Sequence, residues 1–513
     1  MKDEKQLKPV LHLPLFHFPS FTMISCLVMQ MRNLLASIAV SVFCLSAFAQ
    51  HVQINIDASK HHQTIDGFGT CMAWWKDQPY ESEKFQKMYW QDLGASILRI
   101  EFHPNVLTTN GKLDGPPVVL GEDIDQNIKR FNFSAKGVKN VGMLARAGKV
   151  MKVDEFKLVG SLWTPPHWMK TGATINKDGQ SCNGSLKMDA ENLQQFARYI
   201  AAFVKGFEQA WGVPVYAISI QNELRFKEPY NSCLYKPDEY VKAFIAVAKE
   251  FARCDITTKL MGPEDVGVGE PGNDSFINNQ MSFINAIREN EDAWKAMKIF
   301  CIHGYAGDGA SPVSGAGESW GKYWDLIKDH KRPSWQTEIS GQAAAWKKEG
   351  KHGERGALSI ALALNDGLTR GNVSAWLYWQ TAMDAAGKPN SQSLTAGTDN
   401  TSKKYNVAKH FFRFIRPGAV RVDTSVVDGK AIHSSAFIHE TNKTIVIQLI
   451  NMDAKETSVK LQLNGVTGLK TLSMARTSEN ETLEPQMPIQ VGGESLVVPL
   501  AASSITTLSG KFE

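Results

Sequence analysis

The sequence has no Cys-x-x-Cys pair, and only seven cysteines in 513 residues. The common zinc frameworks are built on that spacing, so no zinc site is expected, nor any other metal or cofactor. Charge of one sign is also lacking: 56 Lys and Arg face 52 Asp and Glu, a formal net charge of +4. No basic footprint of the kind that binds nucleic acid or an anionic membrane is present. Long apolar runs are absent after residue 50. A spanning helix needs ~20 consecutive apolar residues, so the mature chain is expected not to insert into a membrane. There is no low-complexity linker. What remains is an ordinary globular composition, 43% hydrophobic and 21% charged, with length enough for a large domain and a smaller one. A monomer is expected. Thirteen tryptophans stand out. Several fall at predicted strand ends, where an indole face can stack on a sugar, with core packing the alternative.

The N-terminus reads as a leader. MRNLLASIAVSVFCLSAFAQ, residues 31–50, has a basic start at Arg32 and an apolar run from Leu34 to Phe48. It ends in Ala47-Phe48-Ala49, a small-x-small cleavage pattern. Cleavage after Ala49 and a secreted or periplasmic protein are expected; a buried helix is the alternative. Residues 1–30 sit upstream of this segment, which suggests a true start at Met31, with Met23 and Met29 as the alternatives. Cys26 and Cys44 leave with the leader, so Cys71, Cys182, Cys233, Cys254 and Cys301 remain.

After the leader, HVQINID (51–57) alternates apolar and polar residues, as a half-exposed strand does. Then strand-like and helix-like segments alternate. The strands read as 65–75, 96–102, 157–163, 213–220, 259–263, 299–305, 332–340 and 373–380, the last followed by a helix at 404–415. That alternation predicts an α/β fold, a (β/α)8 TIM barrel. Residues 103–135 have no clean periodicity and read as a long loop. From about 418 the pattern becomes short alternating runs between turn residues, an antiparallel β-sandwich signature. The expected organisation is an N-terminal extension and leader at 1–49, a strand at 50–64 joining the side sandwich, a catalytic barrel at 65–416, and the sandwich at 417–513. Cys71, Cys254 and Cys301 lie among apolar neighbours and read as core. Cys182 and Cys233 lie in polar loops after consecutive barrel strands. They read either as a disulfide, favoured by an oxidising compartment, or as two partly exposed free thiols.

Two strands end in the same way. VPVYAISIQNE (213–223) is apolar on both faces until Asn222 and Glu223. RPSWQTEIS (332–340) carries Glu338 near its end. Active sites of parallel barrels sit at the C-terminal strand ends. An N-cap is the alternative for Asn222-Glu223. Two carboxyls that can face each other across a barrel are the machinery of glycoside hydrolysis.

IDGFG (65–69), LRI (98–100), SLWTPPHWMKT (161–171), ISIQNE (218–223), IHGY (302–305), WQTEIS (335–340), AWLYWQ (375–380) and FIRPGAVRV (414–422) occur in that order. Together they resemble glycoside hydrolase family 30. The resemblance implies a barrel with a side sandwich and a retaining β-glycosidase, with Glu223 as acid/base and Glu338 as nucleophile. It gives Arg99 the nucleophile as partner, with Glu101 as the structural alternative. Asn222 is expected on the sugar hydroxyl beside the reacting carbon. Tyr305 is read as a donor to Glu338 or as a core tyrosine. Trp163 and Trp379 read as floors of sugar subsites, while Trp168 reads as a subsite or a loop pin. His303 reads as a positioned structural or subsite histidine. Glu223 is expected protonated and Glu338 ionised, the negative Glu338 raising Glu223. Family members often have proline after the acid/base; here Leu224 follows.

The resemblance implies a polysaccharide or oligosaccharide substrate. An endo-acting enzyme on a plant-type β-glycan is expected, with xylan ahead of β-1,6-galactan and β-1,6-glucan. The Arg416-Pro417-Gly418 turn resembles the xylanase and galactanase branches, and Trp74-Trp75 the galactanase branch. Lys403 and Lys404 read as contacts for a uronate substituent or, ahead of that, as solvated surface. A non-catalytic carbohydrate-binding protein is the distant alternative.

Overall fold

The computed structural model describes residues 52–72, 79–107, 116–267, 280–305, 316–347, 356–382, 390–493 and 495–513. The leader and the Trp74-Trp75 pair lie outside the described residues. Eight parallel strands close on themselves: Gly67–Met72, Ile97–Glu101, Lys157–Ser161, Val215–Ser219, Lys259–Gly262, Met297–His303, Ser334–Glu338 and Ala375–Ala382. They hydrogen-bond in that order, and the eighth returns to the first. The strands are apolar on both parities because both faces are covered. Inward, Ile97, Val159, Ala217, Met261, Ile299, Trp335 and Leu377 fill the barrel. Outward faces meet helices whose ends the sequence marks. Asp189 accepts from the backbone N–H of Asn192 at the start of Ala190–Trp211, and Gly212 ends that helix at φ 68°. Helix Pro237–Arg253 begins with proline, and Glu239 accepts from the backbone N–H of Lys236.

The loop after the third strand is more ordered than its composition suggests. Lys170 and Thr171 pair with Ser185 and Leu186, and Thr174 and Ile175 pair with Ser181 and Cys182. Lys170 ties this hairpin to the loop after the fourth strand. Its Nζ donates to Thr164 Oγ1 at 2.8 Å, to the Ser181 carbonyl at 3.1 Å and to the Ser232 carbonyl at 2.7 Å. Burial draws the ammonium down to about 8. Cys182 and Cys233 flank it, and both are buried free thiols. The disulfide is therefore absent, and the two thiols are not the partly exposed pair of the other reading. A lysine makes the loop-to-loop tie instead. Cys71 and Cys301 are buried as expected, and Cys254 is half-buried.

The C-terminal strands form a sandwich in the order 484–490, 471–477, 504–511, 444–451, 432–439, 420–427, 52–64, 457–464, 495–500. The N-terminal strand Val52–Thr64 runs antiparallel to Val420–Val427 and parallel to Thr457–Asn464. Its alternation buries Ile54 and Ile56 in the sandwich core. The strand Glu484–Gln490 did not register in the sequence. It carries Pro485 and Pro488 and is mostly exposed, which suits an edge position only.

Barrel and sandwich meet through helix Lys403–Phe412. His410 is buried there, with Nδ1 2.6 Å from Thr507 Oγ1 and Nε2 2.8 Å from Thr477 Oγ1. Thr507 Oγ1 donates onward to Gln448 Oε1, so it accepts from Nδ1–H. Trp346 Nε1 adds a bond to the Ser503 carbonyl at 2.8 Å. The neighbouring lysines fit neither earlier reading. Lys403 donates to the Ser478 and Glu481 carbonyls at the sandwich. Lys404 is fully buried on the carbonyls of Gln342 and Asn390 and drawn down to about 7 by burial.

Burial pushes the His410 imidazole down to about 3. The unfolded chain therefore takes up a proton below about pH 6.5 that the folded chain refuses. Stability should be full above that value and decline as pH falls toward 3. Replacing His410 with Gln should flatten the slope of melting temperature against pH across this window. His103, half-buried and pushed down to about 4 by loss of water around the ring, should leave a residual slope.

Candidate active site

Every barrel strand from the second to the eighth ends in a polar or aromatic residue that turns toward one point. The centre is Arg99, from the second strand, fully buried. Its Nη1 donates to Glu338 Oε2 at 2.7 Å, Nη2 to Asn222 Oδ1 at 2.6 Å and Nε to Ser161 Oγ at 3.1 Å. Its Nε is also 3.3 Å from Glu264 Oε1, and its guanidinium carbon lies 4.7 Å over the Trp163 ring. Glu101, the structural alternative, makes no ion pair with it. Glu101 is buried apart, pushed up to about 7 by burial.

Glu223 is placed by backbone as much as by side chain. The N–H of Asn222 donates to the Leu162 carbonyl at 2.7 Å, and the N–H of Glu223 to the Glu264 carbonyl at 2.8 Å. The end of the fourth strand is thus pinned to both neighbours. Glu223 itself takes φ 48°, a left-handed conformation that costs an L-residue about 1–2 kcal/mol. The N-cap alternative fails: the next helix starts at Pro237. His303, from the sixth strand, places Nδ1 3.0 Å from Glu223 Oε1 and Nε2 3.5 Å from Arg99 Nη2. A guanidinium only donates, so Nε2 accepts and Nδ1–H donates to Glu223. Burial lowers the His303 imidazole, but Glu338 and Glu223 outweigh it and the net direction is up. Tyr305 O–H donates to Glu338 Oε1 at 3.1 Å, so it is not simply a core residue.

A carboxylate oxygen of Glu223, one of Glu338 and a ring nitrogen of His303 all lie within 4.8 Å of one another. We read none of the three as a metal ligand, because Arg99 already supplies the positive charge. Burial raises the Glu223 carboxyl, but hydrogen bonds with Glu228 and His303 outweigh it, and the net direction is down. Burial raises Glu338 as well; His303 and Arg99 offset only part, and the net direction is up. This reverses the order expected for the two carboxyls. The two carboxyls titrate as a coupled pair.

These groups open into a cavity of about 350 Å³ lined by Trp163, Asn222, Glu223, Phe226, Tyr230, Tyr305, Glu338, Trp379 and Gln392, among others. Trp163 and Trp379 meet at 5.8 Å, inclined by 47°. Arg99 holds the Asn222 oxygen, which leaves the Asn222 amino group to face the cavity. A second cavity of about 770 Å³ adjoins it, sharing Trp163 and Tyr230 and lined further by Glu101, His103, Asn231 and residues 176–180. Trp168 lines neither and packs against the barrel core. Arg416 is structural, donating to the Gly94 and Phe412 carbonyls.

Sequence reasoning missed Glu264, Glu228 and Tyr230. Glu264 lies one residue past the predicted strand 259–263, the same signal that marked Glu223 and Glu338. Glu228 and Tyr230 lie in an aperiodic loop that gives no such signal.

The sandwich matches the family model described as Glycosyl hydrolase family 30 beta sandwich domain over residues 418–508. Over 468 residues the chain is 23% identical to the glucuronoxylanase XynC of Bacillus subtilis (strain 168), covering 90% of this chain and 91% of that protein. A stretch of 119 residues is 32% identical to an endo-1,6-beta-D-glucanase of Neurospora crassa, 23% of this chain and 22% of that one. A GH30 endoxylanase structure from Clostridium papyrosolvens C71 superposes with a TM-score of 0.68 at 21% identity, covering 90% of this chain and 100% of that one. At that identity the superposition shows the shared fold. The family resemblance read from the motifs is borne out.

Lysine cannot reproduce the forked guanidinium that spans Glu338, Asn222 and Ser161. Arg99→Lys should leave buried acceptors unpaired and cost about 3–5 kcal/mol in chemical denaturation. Arg130→Lys, at an exposed position, should cost less than about 0.5 kcal/mol.

Proposed function

We propose that this glycoside hydrolase family 30 chain is a retaining β-glycosidase that cuts within a plant-type β-glycan by double displacement. The carrying observation is the approach of Glu223 and Glu338 oxygens to within 4.8 Å. Retaining enzymes hold their carboxyls ~5–5.5 Å apart, while inverting enzymes leave ~6.5–9.5 Å for a water.

In this reading, Glu338 attacks the anomeric carbon while Glu223 gives its proton to the departing oxygen. The carbon–oxygen bond breaks and a glycosyl ester forms on Glu338. Glu223 then takes a proton from water, whose oxygen attacks the same carbon and frees Glu338. A bound glycosidic oxygen accepts a hydrogen bond from protonated Glu223, and charge developing on the sugar favours ionised Glu338. Substrate thus favours the proton on Glu223. The Asn222 amino group serves the hydroxyl beside the reacting carbon, and Tyr305 and Arg99 steady Glu338 before attack and after release.

The second cavity supports the endo mode, because it offers space for further sugar units beyond the catalytic one. The overall relatedness to a glucuronoxylanase supports xylan as substrate. The higher local identity to an endo-1,6-beta-D-glucanase supports β-1,6-glucan as the second reading. Neither Lys403 nor Lys404 supplies a uronate contact in this reading, since Lys403 is spent on sandwich carbonyls and Lys404 on carbonyls of two barrel loops. The segment at 31–49 would carry the enzyme out of the cytoplasm.

Incubation with xylan, β-1,6-glucan and β-1,6-galactan, with product lengths measured, tests substrate and mode. Mixed oligosaccharides from xylan support the reading; release of single sugars alone sinks the endo mode. Proton NMR of the first product should show the β anomer. Glu338→Ala should lower kcat by at least about 10³ on every substrate. Glu223→Ala should lose about 10²–10⁴ on poor leaving groups and far less on dinitrophenyl glycosides.

A further inference from the structure

We propose that Glu228 is a positioning residue, a carboxylic acid that stays neutral through the cycle and donates its hydrogen to the Glu223 carboxylate. This deepens the glycosidase reading above and rests on it. The chain turns sharply after Glu223: the N–H of Phe226 donates to the Glu223 carbonyl at 3.0 Å, and the N–H of Glu228 to the Phe226 carbonyl at 3.1 Å. The turn brings Glu228 back against Glu223, within hydrogen-bonding range of its carboxyl. Glu228 is 1% exposed. Among the described residues the Tyr230 hydroxyl is the one donor that reaches it, and neither of its oxygens has another hydrogen-bond donor. A buried carboxylate with a single hydroxyl donor and no cation, beside a second carboxylate, is costly; a neutral acid there has a partner ready to accept. The carboxyl is correspondingly pushed well above the ordinary range, by burial first and by Glu223 next.

The charged and titratable groups around the pair are few. Glu228 faces Glu223, Tyr230 and, farther off, Glu338. Glu223 faces His303 and Arg99, and its charge is felt by Asp265 and Tyr305. Among the described residues the Glu228 side thus has no cation; the Tyr230 hydroxyl can serve one Glu228 oxygen, and the contact between the two carboxyls still needs a hydrogen of its own.

The consequence follows from proton bookkeeping. When Glu223 gives its proton to the leaving oxygen it becomes an anion in a dry site. The O–H of Glu228 then points at that anion, and a hydrogen bond to a charged acceptor is about twice as strong as one between neutral groups. In the second half Glu223 recovers a proton from water, and Glu228 ends as it began. Its effect is to make Glu223 a stronger acid and to steady the carboxylate produced.

Two measurements test this. Infrared difference spectra of wild type minus Glu228→Gln at neutral pH should contain the C=O stretch of a protonated carboxyl; its absence overturns the proposal. The alkaline limb of kcat/KM on an aryl β-glycoside reports the free-enzyme acid. Gln keeps a donor and should leave that limb within about 0.3 pH units, whereas Leu removes the donor and should raise it by about one unit. Met replaces Leu if that variant does not fold. A limb lowered by Gln means that Glu228 was an anion, and a limb unmoved by Leu means that its role is only structural; either result overturns the proposal. If wild type cleaves no glycoside at all, the glycosidase reading fails, and the infrared band still decides whether Glu228 is neutral.

Discussion

The site depends on one buried guanidinium. Arg99 is surrounded by Glu338, Glu264, Asn222, Ser161 and the face of Trp163, and it is wholly out of solvent. A buried charge of this kind is tolerable only with its donors satisfied. Meeting that demand fixes where the second, third, fourth, fifth and seventh strands must end relative to one another. It fixes chemistry too, since the guanidinium sets which atom of Asn222 faces the cavity and which nitrogen of His303 carries hydrogen. The left-handed backbone at Glu223 is held against its own preference by the same convergence.

The rim is held differently from the centre. Where a disulfide was one expectation, Lys170 ties the third-strand hairpin to the fourth-strand loop through two carbonyls and a hydroxyl. A covalent link would stabilise chiefly by restricting the unfolded chain. The lysine works only in the folded state, and its tie can break and re-form locally. That difference matters because the same loops line the larger cavity, where a polymer must enter and leave.

Much of this was legible in the sequence, for identifiable reasons. The eight strands were visible because strands covered on both faces are continuously apolar, and Glu223 and Glu338 were visible because a carboxylate interrupts such a run abruptly. Glu264 follows the same rule but stands after a proline, outside the run as read. The half-exposed strand at the N-terminus was recognisable as foreign to the barrel by its alternation alone. The edge strand Glu484–Gln490 was hidden because an edge tolerates prolines and needs little apolar surface. Glu228, Tyr230 and the lysines at 170, 403 and 404 share another kind of invisibility. Their roles depend on which distant carbonyls or carboxyls the fold places beside them, and no periodicity encodes that. The downward pull on the Glu223 carboxyl was hidden for the same reason: it comes from Glu228 and His303.

The strand Val52–Thr64 carries a consequence for the order in which the molecule comes into being. It opens the described chain, yet its partners include strand 420–427, with Asn55 and Ser425 in hydrogen-bond contact 370 positions apart. Synthesis at about 5–20 residues per second keeps that strand without partners for tens of seconds, until the last barrel strand and helix Lys403–Phe412 have already been made. The sandwich therefore closes last, as a clasp that only a full-length chain can fasten. A chain halted before residue 420 leaves the apolar residues of that strand, Ile54 and Ile56, without the sandwich that buries them.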